Sequence, residues 1–541
     1  MSLRLCLSAA LRYAFKRFYS NMKPTKARIS QLLFLILFLL LFIQTEYRGH
    51  DQINAAVNSF FRADPLVLVS YLLAAKSWSL LLLPALLMTL ATLLLGRFFC
   101  GWICPLGTVL DLLTPKKRST RPVPWLAGNL KYWLLLPLLS ASLFNLNLAG
   151  LLDPIALLLR GLTFFFYPLL GLTARGGWVE LYHLIGEQRD SLAPAYGLLK
   201  NNLLPFRETL YPLSFFSALV LISIVLLERL ETRAWCRHLC PLGTLLGWLG
   251  MFSPFKRIPG GICRDCGQCR ELCPTTFDQG FLNREECILC MECEQGCPDQ
   301  RISFKPAWSL RMAGPVMPQR RVLLGGLAGG LLLAVPVRFR SPEKSSRLLR
   351  PPGVRDEDEF LKKCVRCGEC MKVCLKNALY PGTWQAGLDG MYTPLVIPRL
   401  GYCEYNCTLC GQVCPTAAIP NLAVEQKKRE VIGKAVFDRN HCLPFARKID
   451  CIVCEEHCPI PDKAIRSREV QVLGLDGVMK TVREPYLVEE ICNGCGICEH
   501  VCPVETQAGI KVFAVKDRKP ISDYRVPDSG QLGHQIEKLP Y

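Results

Sequence analysis

Cys492-Asn493-Gly494-Cys495-Gly496-Ile497-Cys498-Glu499-His500-Val501-Cys502-Pro503 carries four thiols spaced C-x2-C-x2-C-x3-C and closed by proline. Three thiols two residues apart can converge on three corners of one cubane from a single tight loop. The fourth, three residues on, starts a helical turn and reaches the neighbouring cubane. The same spacing recurs at Cys263/Cys266/Cys269/Cys273, Cys287/Cys290/Cys293/Cys297 and Cys364/Cys367/Cys370/Cys374. Two more quartets are stretched near their start: Cys403/Cys407/Cys410/Cys414, and Cys442 followed by Cys451/Cys454/Cys458. Proline follows the last thiol in five of the six, Leu375 being the exception.

These quartets absorb 24 of the 29 cysteines. Disulfide scaffolds are usually short secreted chains without this repeated period. Zinc sites typically use pairs of C-x2-C or mix cysteine with histidine. The spacing therefore predicts up to six [4Fe–4S] clusters, held in three two-cluster modules. After four quartets a short strand is expected, at Arg301-Ile302, Ala418-Ile419, Ala464-Ile465 and Gly509-Ile510. Val470 to Val482 alternates around Asp476-Gly477, a hairpin signal. Small α+β ferredoxin modules of the bacterial type follow, stapled by clusters rather than by a large apolar core.

The composition changes near Phe255. Before it lie four apolar runs, roughly 30–43, 77–95, 131–151 and 209–228, each close to the ~20 residues that span a bilayer. Lys23, Lys26 and Arg28 precede the first, and Arg97, Lys116, Lys117, Arg118, Arg121 and Lys131 lie between the second and third. By the positive-inside rule that loop, the N-terminus and the region after the fourth run are cytoplasmic. This bias accounts for much of the +19 net charge and leaves little reason to invoke nucleic acid.

The helical part is internally repeated. Arg97-Phe-Phe-Cys100-Gly-Trp-Ile-Cys104-Pro105-Leu106-Gly107-Thr108 recurs as Arg233-Ala-Trp-Cys236-Arg-His238-Leu-Cys240-Pro241-Leu242-Gly243-Thr244. Upstream, Asp64-Pro65-Leu66 and Asp153-Pro154-Ile155 occupy matching positions on the opposite side. Cys100, Cys104, Cys236 and Cys240 are candidate cofactor-binding residues, four thiols at one depth, suited to a shared metal cluster or a dithiol relay. Four inert, partly buried cysteines are the alternative.

Several absences narrow the chemistry. No C-x2-C-H occurs, which excludes covalent c-type haem, and no histidine falls in the four apolar runs. No dinucleotide fingerprint is present, since Gly325-Gly326 and Gly329-Gly330 lie in an apolar stretch without strand or acidic partner. Haem, flavin and NAD thus leave no signal. Arg320-Arg321 ahead of that glycine-containing stretch resembles a Tat export signal placed internally. Without a small-residue cleavage site after it, it reads as a fifth, signal-anchor-like span.

The expected organisation is a basic N-terminal segment (1–29), a four-helix membrane domain (30–255) and a cytoplasmic two-cluster module (256–306). A signal-anchor and linker (307–345), a four-cluster domain (346–520) and a polar tail (521–541) follow. Cys6 reads as incidental.

Residues ~22–306, through the four spans, the paired C-x3-C-P motifs and the two-quartet module, resemble the NapH quinol-oxidising membrane ferredoxins. Residues ~318–515, through Arg320-Arg321 and four quartets, the third with its Cys442 to Cys451 gap, resemble the Tat-exported NapG/MauM ferredoxins. The resemblance implies a multi-pass protein of the bacterial inner membrane that oxidises quinol from the quinone pool. Its electrons would pass to a periplasmic reductase or cytochrome of the nitrate-reductase type. By likeness to other four-cluster subunits, the first and fourth, and the second and third, quartets of the exported half pair in nested fashion. In the cytoplasmic module one pairing is available: Cys263/Cys266/Cys269 with Cys297, and Cys287/Cys290/Cys293 with Cys273. Leu375 leaves its loop geometry open.

Asp64, Asp153, Glu180, His183 and Glu187 are candidate proton acceptors, although a solvated loop or helix cap describes each at least as well. Two other readings compete with quinol oxidation: outward relay from a cytoplasmic low-potential donor, and a maturation or redox-sensing accessory of one partner oxidoreductase.

Overall fold

The computed structural model describes residues 26–113, 125–185, 193–259, 286–306, 320–339 and 347–521, apart from 50, 54, 474–476, 516–517 and 519. Between 260 and 285 it describes 266, 269, 272–275, 277–278 and 281–282. The N-terminal segment with Cys6, the basic loop at 116–121, Glu187, Cys263, the linker before Arg347 and the polar tail beyond Ile521 lie outside the described residues.

All four apolar runs are helical, over Lys26–Gln44, Leu80–Leu95, Leu130–Leu143 and Ser214–Leu227. Only the first is long and apolar enough to cross a membrane by itself. The third stops short because Asn145 turns left-handed, at φ 66°, and reverses the chain. The second helix that passes this test is Pro154–His183, which begins beyond the third predicted span and ends before the fourth. Its apolar run is broken by Arg160 and Arg175, but Arg160 is buried and donates to the Leu151 carbonyl at 2.7 Å. A charge satisfied by backbone inside the fold does not end a helix. The segment read as a fifth span forms the helix Arg320–Phe339, and is not among the two long apolar helices.

Arg320–Phe339 lies along Trp125–Leu143 in the same direction. A Cβ on Gly326 would meet the Leu136 Cβ at 2.6 Å, and one on Gly330 the Ser140 Cβ at 2.4 Å. The paired glycines thus let two helices approach through their backbones, and the Ser140 hydroxyl donates to the Leu327 carbonyl at 3.1 Å. Asp64 and Asp153 cap helices that begin with proline, accepting from the amides of Leu66 and Ala156.

The cluster-binding modules are small antiparallel pairs. Phe255–Pro259 pairs with Ile302–Pro306, and Lys434–Phe437 with Ile510–Phe513. In both cases the strand before a module's first thiol pairs with the strand after its last. The expected hairpin forms between Ile465–Leu473 and Met479–Leu487, with Val470 opposite Val482 and Gly477 at φ 78°. Three of the four expected strands start at the named isoleucines. Ile419 instead lies in a loop, followed at once by Pro420, which has no amide to donate to a ladder.

The modules sit at opposite ends of the helical part. At one end Arg28 pairs with Glu292 at 2.8 Å and Lys131 with Glu286 at 3.3 Å. At the far ends of the same two helices, Lys372 donates to the Thr45 carbonyl at 2.8 Å and Asn147 to the Lys362 carbonyl at 3.2 Å. The chain is a multi-domain helical protein with ferredoxin domains, and Arg320–Phe339 carries it from one end to the other. Gly326→Leu and Gly330→Leu should each destabilise this helix contact by about 1–3 kcal/mol, read as a lower midpoint of thermal unfolding of the full chain.

Candidate metal centres

The three unstretched quartets whose four thiols are all described share one backbone device. In the first quartet of the C-terminal domain, Arg366 and Gly368 take φ 54° and 90°. The equivalent residues are Leu289 and Met291, at 54° and 60°, in the first module, and Gly494 and Gly496, at 72° and 85°, in the last quartet. Non-glycine residues rarely adopt this region. Its recurrence between the first and third thiols marks a constraint shared by the loops, which turns successive amides toward one anionic centre.

The fourth thiol of four quartets accepts an amide a few residues downstream. Ala378 donates to Cys374 Sγ at 3.1 Å, Ile419 to Cys414 at 3.4 Å, Gly509 to Cys502 at 3.2 Å and Arg301 to Cys297 at 3.4 Å. Gln300, Asn377 and Ala417, each three residues past its thiol, share a left-handed turn. Leu375 in place of proline therefore leaves the loop unchanged, because the turn depends on Asn377 rather than on ring-fixed φ.

Three cavities in the C-terminal domain are lined by four thiols each. Cys364, Cys367, Cys370 and Cys414 surround about 360 Å³, Cys442, Cys451, Cys454 and Cys502 about 350 Å³, and Cys458, Cys492, Cys495 and Cys498 about 330 Å³. Cys374 lies beside Cys403, Cys407 and Cys410. Pairing is therefore sequential, first quartet with second and third with fourth. The nested arrangement is corrected, because the chain folds each neighbouring pair of loops back on itself. What joins the halves is a contact between the second and fourth quartets, where the Cys403 amide donates to the Cys495 carbonyl at 2.9 Å. In the first module Cys273 lies beside Cys287, Cys290 and Cys293, as expected. Cys266, Cys269 and Cys297 are described without their partner Cys263.

Burial pushes the thiols of Cys407 and Cys454 up to about 12 and that of Cys287 up to about 11. Buried thiols without a cation would stay protonated, and clustered irons supply the charge that holds them as thiolates. Donor set, amide donors and cavity thus fit [4Fe–4S] clusters, which supply one-electron redox chemistry when bound.

The duplicated C-x3-C-P loops match bond for bond. Cys104 accepts from Gly107 at 3.4 Å and Cys240 from Gly243 at 3.2 Å, while Thr108 and Thr244 donate to the Cys104 and Cys240 carbonyls. Cys100, Cys104 and Cys240 are buried and Cys236 nearly so, with Cys240 beside the other three. Two buried arginines cross between the copies. Arg97 donates to Cys100 Sγ at 3.4 Å and to the Cys236 carbonyl at 2.9 Å, and Arg233 to the Cys100 carbonyl at 3.0 Å. Among the described residues no group of three such side chains is close enough for a single metal ion.

The copies diverge where they meet the first module. Gly101 faces the Ile288 carbonyl, which a Cβ would meet at 2.1 Å, and Trp102 donates to the Leu289 carbonyl at 3.0 Å. In the second copy Arg237 and His238 stand at these positions and pair with Glu231. Burial pushes the Glu286 carboxyl up, but Lys131, Arg237 and Arg97 outweigh it and hold it below the ordinary range. These docking residues were missed in the sequence. The signal was there in the one glycine of Cys100-Gly101-Trp102 that the repeat does not keep.

Among the proton-acceptor candidates, Asp64 and Asp153 are buried together, whereas Glu180 and His183 are exposed on Tyr167–Ile185.

Two outcomes test these centres. Cys414→Ala and Cys367→Ala should lose the same cluster, one [4Fe–4S] unit of iron and sulfide, with the same paramagnetic signal missing. A nested arrangement would make Cys414→Ala resemble Cys454→Ala instead. Gly101→Ala should loosen the first module by about 1–3 kcal/mol, read as faster limited proteolysis within 286–306 while the C-terminal clusters are retained.

Comparison with known proteins places this geometry. A family described as "4Fe-4S binding domain" matches residues 77–123 and 209–259, the two stretches that carry the C-x3-C-P loops. The methylamine utilization ferredoxin-type protein MauM of Methylorubrum extorquens is 34% identical over 37% of this chain and 92% of its own length. The ferredoxin-type protein NapG of Escherichia coli is 33% identical over 41% of this chain and 93% of its own length. A putative electron transport protein of Escherichia coli, YccM, is 30% identical over 38% of this chain and 50% of its own length. No solved structure matches. With its quartets folded into paired thiol cavities, the chain is an iron–sulfur electron-transfer protein and belongs to the MauM/NapG family of ferredoxin-type proteins.

Proposed function

We propose that the chain spans the bacterial inner membrane and oxidises quinol, relaying electrons to an extracytoplasmic reductase or cytochrome. In this reading a NapH-like half, residues ~22–306, is fused to the NapG/MauM-like half. The observation that carries it is the separation of the two cluster-binding parts to opposite ends of one helical body, joined by Arg320–Phe339.

The helices present an apolar exterior. Leu33 is 62% exposed, Leu94 60%, Phe215 77% and Leu332 71%. Water tolerates no contiguous patch of that extent on a monomer, whereas hydrocarbon does. Short helices such as Leu80–Leu95 can complete a crossing with tilt or local thinning of the bilayer. Helices end beside basic residues at the first module, which supports a cytoplasmic side there. The twin arginines at the start of Arg320–Phe339 are exposed, and support a Tat-type route for the folded C-terminal domain.

The chain's residues order the path. Gly101 and Trp102 hold the Cys287–Cys293 loop against the C-x3-C-P thiols, which we assign as a shared redox centre balanced by Arg97 and Arg233. At the other end Gly150 lets the Val365 carbonyl seat in the helical core, bringing Cys367 with it. From there the sites run through Cys403–Cys410 and Cys495 to Cys442–Cys454, which lies farthest along and faces an outer partner.

Reconstituted full-length protein mixed anaerobically with a menaquinol analogue should show bleaching of the cluster absorbance. Cys236→Ala/Cys240→Ala should slow it by at least about 10²-fold while dithionite still reduces the C-terminal clusters. Clusters that dithionite reduces but neither menaquinol nor ubiquinol analogues touch would sink the quinol reading.

A further inference from the structure

The buried pair Asp64 and Asp153 takes no part in binding a cluster, yet it is the most demanding polar arrangement in the helical body. The two carboxylates are 0% and 1% exposed. Each commits one oxygen to capping its own helix, Asp64 Oδ1 accepting from Leu66 at 2.7 Å and Asp153 Oδ2 from Ala156 at 2.8 Å. The remaining oxygens, Asp64 Oδ2 and Asp153 Oδ1, have no donor, although the two side chains are in hydrogen-bonding contact with each other. Two acceptors facing each other in an apolar core, with nothing between them, cannot both be ionised.

We infer that Asp64 and Asp153 form a proton-holding site, sharing one proton between their facing oxygens and taking up a second when the neighbouring centre at Cys364/Cys367/Cys370/Cys414 is reduced. The balance is one electron from the reductant and one proton from solvent. The added negative charge at the thiol centre is offset by converting the singly protonated pair into two neutral carboxyls.

The link between the two sites is short. Arg160, seven residues after Asp153 on the same helical stretch, lies beside Asp153 and beside Cys367. Its guanidinium sits 4.5 Å over the Tyr392 ring and donates to the Arg366 carbonyl at 3.4 Å. A charge that appears at that centre is therefore felt at Asp153 through one buried cation.

Arg62, which ends the helix Asn58–Arg62 two residues before Asp64, lies beside the buried Glu369, and few other charges face the pair. Leu83–Leu95, Pro241–Gly250 and Ser214–Leu227 contain no ionisable side chain apart from none-titrating hydroxyls. Lys131, the one basic residue of Trp125–Leu143, pairs with Glu286 at the opposite end. In Pro105–Leu113 the acid Asp111 is held by Arg233. Across from Pro65–Ala75, Glu357–Lys363 spends Lys363 on Glu359.

The site is the second half of the repeat that built the thiol loops. The first copies of the two motifs meet the second copies at both ends of the helical body: thiols at one end, carboxylates at the other. Duplication brought two helix caps together, and their apposition created a property that neither has alone.

Asparagine separates the proton from the fold. In Asp64→Asn the amide oxygen still accepts from Leu66, and its NH2 donates to Asp153 where the shared proton had been. Net charge and hydrogen bonds are kept and the shared proton is gone, so that Asp153 is left as the one carboxylate able to take up a proton on reduction. Asp153→Asn does the same in reverse.

The test uses the full-length, cluster-loaded protein in detergent, reduced with dithionite, so that it is independent of the quinol reading. Infrared difference spectra of the wild type should show a protonated-carboxyl band that shifts in D2O and changes on reduction. A pH-indicator dye should report proton uptake as the first C-terminal centre is reduced, and its midpoint potential should fall as pH rises. In Asp64→Asn and Asp153→Asn the band of the oxidised protein should be lost, and in Asp64→Asn/Asp153→Asn the uptake and the pH dependence at that centre should be lost as well, with iron content unchanged. Wild-type protein that shows no protonated-carboxyl band, or takes up no proton on reduction, overturns the proposal without any variant. A double variant that folds, keeps its clusters and retains the wild-type pH dependence overturns it equally.

Discussion

A buried thiolate is tolerated only where metal charge and amide donors meet it, and the rest of this structure depends on that constraint. It explains why three thiols must come from a single tight loop with left-handed turns at fixed places, as at Arg366 and Gly368 or Leu289 and Met291. It also explains why a fourth must arrive from the adjacent loop with its own amide already supplied. The sheets around these loops are two strands wide, too small to hold a core by area alone. The clusters are the core of the modules.

The helical part is built differently. Its buried interior is apolar and closely packed, with Phe38 edge-on to Phe60 at 5.2 Å and Phe42 to Tyr167 at 5.1 Å. Its exterior is apolar as well, so that inside and outside are told apart by packing and by polar residues rather than by hydropathy. Arg97, Arg160 and Arg233 are all buried there. Each donates to backbone carbonyls, which is how a helical body carries cations without water.

Much of the chemistry was legible in the sequence because ligand spacing is local. Twelve residues, Cys492 to Pro503, hold a complete statement about three thiols and a fourth, and the Asp476-Gly477 turn does the same for its hairpin. Pairing was less legible. Whether Cys414 closes the loop of Cys364 or that of Cys442 depends on how loops fold back, and the two alternatives share the same spacing. The helix beginning at Pro154 was hidden for a related reason, since Arg160 looks like an interruption until the Leu151 carbonyl that receives it is known. Asp64 and Asp153 read as separate caps because nothing in a linear sequence says that two distant caps touch. Gly101 could have been singled out, because a duplicated motif that keeps its thiols and changes one neighbour marks where the copies have acquired different partners.

The contact between the Cys403 and Cys495 loops joins one pair of C-terminal sites to the other, so that the four follow one another along the domain. Such a circuit is in series. In a path of this kind, damage to one member does not dim the current in proportion, as it would in a parallel array, but interrupts it. Oxidative loss of a single cluster therefore leaves a protein that is folded, mostly metallated and electrically silent.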